Sequence, residues 1–230
     1  MLLKNKTAVI TGCNRGIGLS ILELFSENGA NIIACVRKYD LEFENKIKTI
    51  IKKYKNKIDI FYFNLENEDE IEKAFSSIKG LNVKIDILVN NAGINQVSLF
   101  QMTSLEKFKS VFQVNFFSVI SFTQKILKLI SKNTYSKIIN ISSNAATLNS
   151  PGRSAYASSK AAIISFTKVL SKEVGGSKIC VNAIAPGLVN TDMMKNTSQK
   201  IIEEILVNTP LKKSAEPENV ADTALFLASN

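Results

Sequence analysis

The chain has 230 residues, of which 45% are hydrophobic, and it carries a formal net charge of +9 at pH 7. It contains no histidine, which excludes Ser-His-Asp and Cys-His catalysis and any metal site with histidine ligands. The three cysteines, Cys13, Cys35 and Cys180, are too few and too scattered for a zinc site or a disulfide framework, so we expect no metal.

The positive charge comes almost entirely from lysine, since only Arg15, Arg37 and Arg153 are arginines. Such a balance fits an acidic partner such as nucleic acid or an acidic carrier protein. It also fits a lysine-rich solvated surface, and the sequence has no compact basic block with interleaved aromatics. We therefore favour the solvated surface and expect no nucleic-acid partner.

No apolar run approaches the roughly 20 residues that a transmembrane helix needs. Residues 1–10 resemble a short strand and carry no cleavage-like site of a signal peptide. We therefore expect a cytoplasmic protein that does not contact a membrane. The chain has no Pro/Gly-rich linker and no internal repeat, which indicates a single domain over residues 1–230.

Short runs rich in Val and Ile alternate along the chain with longer segments of helical periodicity. Within these runs the apolar residues follow one another without alternation, which is typical of strands buried on both faces of a sheet. The predicted strands are Thr7–Thr11, Asn31–Val36, Ile58–Phe63, Ile85–Asn90, Lys137–Ser142 and Ile179–Ile184.

Helices are predicted between these strands. The first follows Ile17 and stops near Gly29, and the later ones span Asp69–Ile78, Leu105–Ser131, Tyr156–Val174 and Pro217–Ala228. The alternation predicts an α/β fold, namely a single-domain, Rossmann-like, doubly wound parallel sheet with helices on both faces. The segment Leu188–Leu211 departs from this pattern, and it fits both a mobile flap over a pocket and an ordinary surface insertion.

The first predicted strand runs into a glycine-rich turn, Gly12-Cys-Asn-Arg-Gly16-Ile-Gly18, and an amphipathic helix follows. Gly12 lets the chain turn sharply, Gly16 lets the backbone approach a pyrophosphate, and Gly18 lets the helix lie close to the sheet. The helix N-terminus then offers free N–H groups to phosphates. The position between strand and helix favours a dinucleotide site over an ordinary βα turn.

The choice of cofactor depends on the residues that follow the second strand. An acidic residue there holds the ribose 2′-hydroxyl of NAD, whereas cations bind the 2′-phosphate of NADP. The strand is followed by Arg37 and Lys38, and Arg15 in the glycine turn is a further cation. These charges also fit an exposed surface, and Asp40 is near enough to fold back. We favour NADPH over NAD.

Tyr156 and Lys160 are four residues apart, and Ser143 lies thirteen residues before the tyrosine. On a helix the first two share one face, and we expect the lysine cation to lower the pKa of the phenol. Such a phenol donates and accepts protons near neutral pH. Together with the glycine turn, this pattern predicts hydride transfer to a carbonyl, with Tyr156 moving the proton.

Six motifs occur in the order and spacing of the short-chain dehydrogenase/reductase family, which the chain resembles from about residue 5 to its end. They are Thr11-Gly-x-x-x-Gly-x-Gly18, Asn90-Asn-Ala-Gly93, Asn115, Ser143, Tyr156-x-x-x-Lys160 and Pro186-Gly187. Within the family, the segments ending at Met193 and Ala228 resemble most the bacterial 3-oxoacyl-acyl-carrier-protein reductases.

The resemblance implies a role for each catalytic position. Tyr156 protonates the carbonyl oxygen, and Ser143 holds that oxygen. Lys160 lowers the pKa of the tyrosine and binds the nicotinamide ribose. Asn115 anchors a water molecule that relays protons to Lys160.

The resemblance also implies a cofactor site spread over several loops. The implied cofactor-binding residues are Gly12, Asn14, Arg15, Gly16, Ile17, Gly18, Arg37, Asn64, Leu65, Asn91, Ala92, Gly93, Tyr156, Lys160, Pro186, Gly187, Val189 and Thr191. The segment at Asn64 lies by the adenine, the segment at Asn91 lies along a ribose, and the segment after Pro186 holds the nicotinamide carboxamide. Asn90 and Ser142 are interpreted as structural residues.

The chain departs from the family in two places. The sequence ends at Asn230, before the family's final strand, which packs in the core of a tetramer in relatives; the resemblance implies a homodimer or homotetramer. Thr134 and Ser177 stand where arginines help relatives to dock acyl carrier protein, with lysines nearby. The implied substrate is a carbonyl compound, either a small molecule or one bound to a carrier.

Four functions are open at this point. The first is NADPH-dependent reduction of a 3-oxoacyl thioester, as in fatty acid biosynthesis, and the second is the same chemistry on a sugar, a polyol or a small ketone. Apolar Leu99, Leu188, Met193 and Met194 favour a hydrophobic substrate. The third is a non-catalytic dinucleotide-binding protein, which the complete catalytic set disfavours. The fourth, a nucleic-acid binder, depends on charge alone.

Overall fold

The computed structural model describes residues 1–130, 135–148, 151–195 and 199–229. Its strands are β1 (Thr7–Thr11), β2 (Asn31–Val36), β3 (Ile58–Tyr62), β4 (Ile87–Asn90), β5 (Ser136–Ile141) and β6 (Ile179–Ile184). They form one six-stranded sheet in the order β3-β2-β1-β4-β5-β6, and all the neighbouring pairs are parallel. The predicted doubly wound, Rossmann-like sheet is confirmed, and the strand bounds agree with the sequence analysis to within two residues.

The order of the strands determines where a ligand can bind. The chain winds outward from β1 through β2 to β3, returns to pair β4 with the other side of β1, and continues to β5 and β6. The carboxyl ends of β1 and β4 therefore border the point at which the winding direction reverses. In open parallel sheets this crevice is the usual position of the ligand.

Helices cover both faces of the sheet. They are α1 (Gly16–Glu27), α2 (Leu41–Tyr54), α3 (Glu68–Gly80), α4 (Leu105–Phe112), α5 (Ser118–Leu127), α6 (Ala145–Leu148), α7 (Ser154–Val174), α8 (Asp192–Lys195), α9 (Gln199–Asn208) and α10 (Pro217–Ala228). On one face, α1, α2 and α10 bury Phe25, Ile47 and Ala224 in a core cluster. On the other, α3, α5 and α7 contribute to a second cluster that includes Phe122 and Leu170. Within the described ranges, no helix has the length and apolar character needed to cross a bilayer.

The helix predicted over Leu105–Ser131 is helical without a break from Leu105 to Leu127, but it contains a π-helical turn that the sequence analysis did not predict. α4 ends at Phe112, a π-helical turn spans Gln113–Phe117, and only then does α5 begin. Ser131 lies outside the described residues. Apolar periodicity cannot reveal such a turn, because it leaves the buried face intact. π-Helical turns are frequent at functional sites, and this one contains Asn115.

The structure contains helices in two other stretches, which the sequence analysis describes only in part. The sequence analysis gives no bounds for α2, which begins where the Asp40 side chain accepts a hydrogen bond from the Phe43 N–H at 3.2 Å. The segment Leu188–Leu211 contains α8 and α9, and a backbone bridge between Val189 and Ala215 holds its beginning. Residues 196–198 lie outside the described part of this segment. Its motion as a flap stays a prediction.

Candidate active site

A cavity of about 650 Å³ opens at the carboxyl ends of the strands. All the residues predicted to bind the cofactor line it except Gly18, and all the predicted catalytic residues line it except Asn115. Its lining includes Gly12, Asn14, Arg15, Gly16, Ile17, Arg37, Asn64, Leu65, Asn91, Ala92, Gly93, Ser143, Tyr156, Lys160, Pro186, Gly187, Val189 and Thr191. The fold thus gathers loops from most of the sequence into one place.

The glycine turn is packed so tightly that side chains are excluded from two of its positions. Gly12 has a φ of +64°, and a Cβ atom there would lie 2.8 Å from Ala92 Cα. A Cβ atom on Gly18 would lie 2.3 Å from the Gly12 carbonyl oxygen and 2.4 Å from Asn91 Nδ2. Gly18 therefore does not line the cavity, but it lets the start of α1 lie against the turn.

Asn91 joins this turn to the loop after β4. Its Nδ2 group donates hydrogen bonds to the carbonyl oxygens of Thr11 and Gly12, both at 3.0 Å. The Thr11 hydroxyl oxygen accepts in return from the backbone N–H groups of Asn91 and Ala92, at 3.0 and 3.1 Å. These bonds fix the shape of the wall between the first two loops.

The residues around this turn fit a dinucleotide. The side chain of Arg15, the residue that precedes α1, makes no capping hydrogen bond, so the first N–H groups of this 12-residue helix lack a side-chain partner at the edge of the cavity. Such groups, together with the positive end of the helix dipole, suit a phosphate. The absence of a side chain at Gly12 and Gly16 lets the backbone of the turn pack closely against Ala92 and Thr191 at the border of the cavity.

The residues after β2 place positive charge at one end of the cavity. Arg37 and Lys38 line it, as does Asp40. The Asp40 carboxylate is engaged as the cap of α2, through the Phe43 N–H. Arg15 also lines the cavity and forms an exposed ion pair with Asp192, with 3.9 Å between the charged atoms.

Tyr156 and Ser143 are both buried side chains that face the cavity. Burial raises the pKa of the Tyr156 phenol above its ordinary value of 10.0, and a hydrogen bond with Ser143 and the positive charge of Arg153 offset part of this rise. The expectation that a cation lowers the pKa of this phenol overall is therefore wrong for this structure, because desolvation has the larger effect. The phenol is protonated at neutral pH.

Lys160 lies one turn after Tyr156 on α7 and is almost completely buried. Its Nζ atom donates a hydrogen bond to the Ile141 carbonyl oxygen at 2.8 Å and lies 5.9 Å from the centre of the Tyr156 ring. Burial lowers the pKa of Lys160 from 10.5 to about 8. At neutral pH the group is still mostly charged, and it loses its proton within the range in which many enzymes work.

Asn115 is fully engaged with protein groups. Its Oδ1 atom accepts from the Ile94 N–H at 2.8 Å, and its Nδ2 group donates to the Ile94 carbonyl oxygen at 3.0 Å and to Ser159 Oγ at 3.1 Å. It thereby connects the π-helical turn to the loop after β4 and to α7. A Cβ atom on Gly93 would lie 3.2 Å from Asn115 Oδ1 and 3.4 Å from Lys160 Nζ. The role of Asn115 in holding a water molecule stays a prediction.

The two residues interpreted as structural have structural partners. Asn90 Nδ2 donates to Asn140 Oδ1 on the neighbouring strand at 2.8 Å and to Thr123 Oγ1 at 3.0 Å. The Ser142 hydroxyl donates to the Lys160 carbonyl oxygen at 2.8 Å. The described residues contain no group of three or more histidine, cysteine, aspartate or glutamate side chains that could hold a metal ion.

The sequence analysis missed several residues of the site. Arg153 and Asn144 line the cavity, and Asn144 donates its backbone N–H to the Pro186 carbonyl oxygen at 2.9 Å. Arg153 precedes α7, so helical spacing does not place it beside Tyr156, and its position in the cavity depends on the fold. Nothing in the sequence points to Asn144. Leu99 does not belong to the lining of this cavity, unlike Leu188, Met193 and Met194.

Comparison with known proteins identifies the family. The family model described as short chain dehydrogenase matches residues 6–202. A 3-oxoacyl-[acyl-carrier-protein] reductase from Chlamydia muridarum is 38% identical over 232 residues, covering 100% of this chain and 92% of the relative. The corresponding reductase from Thermotoga maritima is 35% identical, with 100% and 93% coverage. A 3alpha-hydroxysteroid dehydrogenase from Mediterraneibacter gnavus is 33% identical, with 100% and 92% coverage.

Solved structures agree with this assignment. A candidate NAD(P)-dependent gluconate 5-dehydrogenase from Beutenbergia cavernae, which contains NADP at low occupancy, superposes with a TM-score of 0.90 at 27% identity, covering 99% of this chain and 90% of that one. A short-chain dehydrogenase/reductase from Serratia marcescens has the same fold, with a TM-score of 0.92 at 23% identity and coverage of 100% and 93%. The chain belongs to the short-chain dehydrogenase/reductase family and is an oxidoreductase that acts on CH–OH or C=O groups.

Proposed function

We propose that this protein reduces a 3-oxoacyl thioester with NADPH, and that Tyr156 donates the proton. The observation that carries this proposal is the convergence of Ser143, Tyr156 and Lys160 on the same cavity as the glycine turn and Arg37. The two reductases from Chlamydia muridarum and Thermotoga maritima support the choice of substrate.

The mechanism follows from the protonation states of the side chains. NADPH, when bound, supplies the hydride. Ser143 and Tyr156 hold the substrate oxygen through their hydroxyl groups, and the phenol, which stays protonated because of its raised pKa, releases its proton to that oxygen. Lys160, charged below about pH 8, favours the phenolate that this transfer leaves behind. Asn115 would help the phenolate to regain a proton through water.

The cofactor preference depends on the residues after β2. Because Asp40 is engaged as a helix cap, Arg37 and Lys38 are the groups that would meet the ribose 2′ position. We therefore expect Arg37→Asp to weaken NADPH binding by at least about tenfold and NADH binding much less, since a 2′-phosphate needs a cation. Fluorescence titration of both dinucleotides measures this difference, and an equal effect on the two would contradict the NADPH assignment.

The substrate proposal gains support from the cavity wall. Leu148, Leu188, Met193, Met194 and Ile205 line it, and they suit an acyl chain better than a sugar. The relative that acts on 3alpha-hydroxysteroids makes a hydrophobic ketone the second candidate. A non-catalytic role is disfavoured, because the catalytic side chains are all present.

The experiment that tests the function combines a substrate panel with one variant. NADPH absorbance is followed with acetoacetyl thioester, a steroid ketone and a set of sugars. We expect consumption with the thioester, and we expect Tyr156→Phe to slow turnover by about 10²–10⁴ while NADPH affinity stays nearly unchanged, since only proton transfer is removed. Consumption with the other carbonyls alone would contradict the thioester assignment, and equal loss of turnover and affinity would contradict the role of Tyr156.

The partners and the compartment follow from this function. The proposal places the enzyme in cytoplasmic fatty acid biosynthesis, with acyl carrier protein delivering the substrate. Of the two positions that replace docking arginines, Ser177 lies just before β6, and Thr134 lies outside the described residues. We also propose a homodimer or homotetramer, because a cluster of phenylalanine rings on α4, the π-helical turn and α7 is only partly covered, with Phe117 54% exposed.

A further inference from the structure

Arg153 is a cation in the cavity for which the proposed mechanism has no task. It immediately precedes α7, and its carbonyl oxygen accepts the first hydrogen bond of that helix, from the Ala157 N–H at 2.7 Å. Its side chain is half-buried and lines the cavity together with Ser143 and Tyr156. Tyr156 lies in the first turn of the helix that Arg153 precedes, and both residues line the same cavity.

Among the residues that the structure describes, none is an acidic partner of the Arg153 guanidinium. Within the described ranges it makes no hydrogen bond and no ion pair, whereas Arg15 pairs with Asp192. The residues outside those ranges include no aspartate or glutamate. A guanidinium has five donors in a planar fork that matches a carboxylate or carbonyl oxygen. A half-buried group of this kind in a cavity wall is therefore available to a ligand.

The charge of Arg153 acts where the reaction takes place. It lowers the pKa of Tyr156, so it is within electrostatic reach of the phenol. The phenol marks the position of the reacting carbonyl oxygen. A substrate group that reaches Arg153 must therefore lie a short distance from that carbonyl, on the same molecule.

A 3-oxo compound has a second oxygen at that place. In a 3-oxo thioester or a 3-oxo acid, the C1 oxygen is separated from the reacting C3 carbonyl by a single methylene group. Simple ketones lack this oxygen, and an acceptor bound to a charged donor forms one of the stronger hydrogen bonds in proteins. An unpaired arginine beside Tyr156 therefore suits a 1,3-dicarbonyl better than an isolated ketone.

We propose that Arg153 selects the substrate of this site by donating hydrogen bonds to the oxygen at C1 of a 3-oxo thioester or 3-oxo acid. This inference rests on the proposed function, because it names the substrate feature that the same cavity recognises. Arg153 is a specificity-determining residue in this scheme, and the proton still comes from Tyr156.

The test compares three carbonyl substrates in wild type and Arg153→Leu. They are an acetoacetyl thioester, acetoacetate and 2-pentanone, which lacks the second oxygen. We expect Arg153→Leu to lower kcat/KM at least about tenfold for the first two, mainly through KM, and less than about twofold for 2-pentanone. Arg153→Lys, which keeps the charge, should recover part of the loss. If Arg153→Leu lowers kcat/KM more for acetoacetate than for the thioester, the group recognised is the carboxylate. If the loss is larger for the thioester, the group recognised is the thioester carbonyl.

Two controls separate substrate recognition from structural damage. Lys168→Met removes an exposed charge from the same helix and should leave all three substrates unaffected. Ser154 is next to Arg153 in sequence, and its buried hydroxyl has no hydrogen-bond partner. Ser154→Ala should therefore also leave kcat/KM for all three substrates unchanged. An equal loss for all three substrates in Arg153→Leu, or no loss for any of them, would overturn the proposal.

A binding measurement distinguishes this proposal from the function on which it rests. Acetoacetate is titrated calorimetrically into the complex with NADP⁺, which requires no turnover. If no substrate is reduced but acetoacetate binds and Arg153→Leu weakens that binding, the proposed function is wrong and the role of Arg153 stands. If the thioester is reduced and Arg153→Leu leaves acetoacetate binding and both KM values unchanged, the proposed function stands and the role of Arg153 is wrong.

Discussion

At the scale of single residues, the buried ammonium of Lys160 determines how the reaction should depend on pH. Its pKa is lowered to about 8 by burial, so the cation is present below that pH and is lost above it. The pKa of Tyr156 is raised above 10.0, so the phenol keeps its proton over the same range. As the pH rises, Lys160 therefore loses its proton before Tyr156 does.

We therefore expect kcat/KM for reduction to be constant below about pH 8 and to fall about tenfold per pH unit above it, because only the charged form of Lys160 favours the phenolate. Initial rates with NADPH and acetoacetyl thioester between about pH 6 and 10 measure this profile. Lys168→Met, which changes an exposed lysine of the same helix, should give the same curve as wild type. A profile that stays flat across this whole range would mean that the charge of Lys160 is not required.

The same residues show what can be predicted about a site from its sequence. The spacing of Ser143, Tyr156 and Lys160 is sufficient to assign them to one cavity, since helix geometry and strand ends are local properties. The direction of the Tyr156 pKa is not predictable in this way, because it depends on how much of the protein covers the phenol. The presence of Arg153 in the cavity likewise depends on tertiary placement.

At the scale of elements, the start of α1 packs tightly against the glycine turn that follows β1. We expect Gly18→Ala to destabilise the fold by about 1–3 kcal/mol and to weaken NADPH binding, because its Cβ would overlap backbone that has no room to move. The atoms in question are the Gly12 carbonyl oxygen, 2.3 Å away, and the Cα of Cys13, 2.9 Å away. Urea unfolding and NADPH titration measure the two effects.

Gly80→Ala is the matched control, because a Cβ at this helix end meets nothing within 4 Å. It should leave NADPH binding unchanged, and a small gain in stability is expected from the lower conformational entropy of the unfolded chain. Should Gly18→Ala behave like this control, the close packing of the turn would not be important for the cofactor site.

The elements differ in how far the sequence determines them. The strand bounds are predictable to within two residues, because a run of Val and Ile bounded by polar residues is typical of a buried strand. The π-helical turn at Gln113–Phe117 is not predictable from periodicity. It accompanies the hydrogen bonds of Asn115 with Ile94 and Ser159, which are 21 and 44 residues away in sequence.

At the scale of the whole molecule, the surface formed by α4, the π-helical turn and part of α7 is a candidate contact between copies of the chain. Phe108, Phe112, Phe116 and Phe117 form successive ring contacts, with centroids 5.5–6.4 Å apart, and Phe116 also meets Phe166 of α7. We call these five residues the phenylalanine face. Phe117 is 54% exposed. The other four are half-buried. A cluster of partly exposed rings of this kind is typical of a surface that another protein covers.

We expect the wild-type protein to be at least a dimer and Phe117→Glu to shift it toward the monomer, because a carboxylate in the phenylalanine face would be buried without a partner. Light scattering after size-exclusion chromatography measures the mass of both. Leu41→Glu is the matched control, since Leu41 is 58% exposed at the start of α2 and lies outside the face. A wild type that is monomeric at micromolar concentration, or a Phe117→Glu variant with unchanged mass, would mean that this face does not join two copies of the chain.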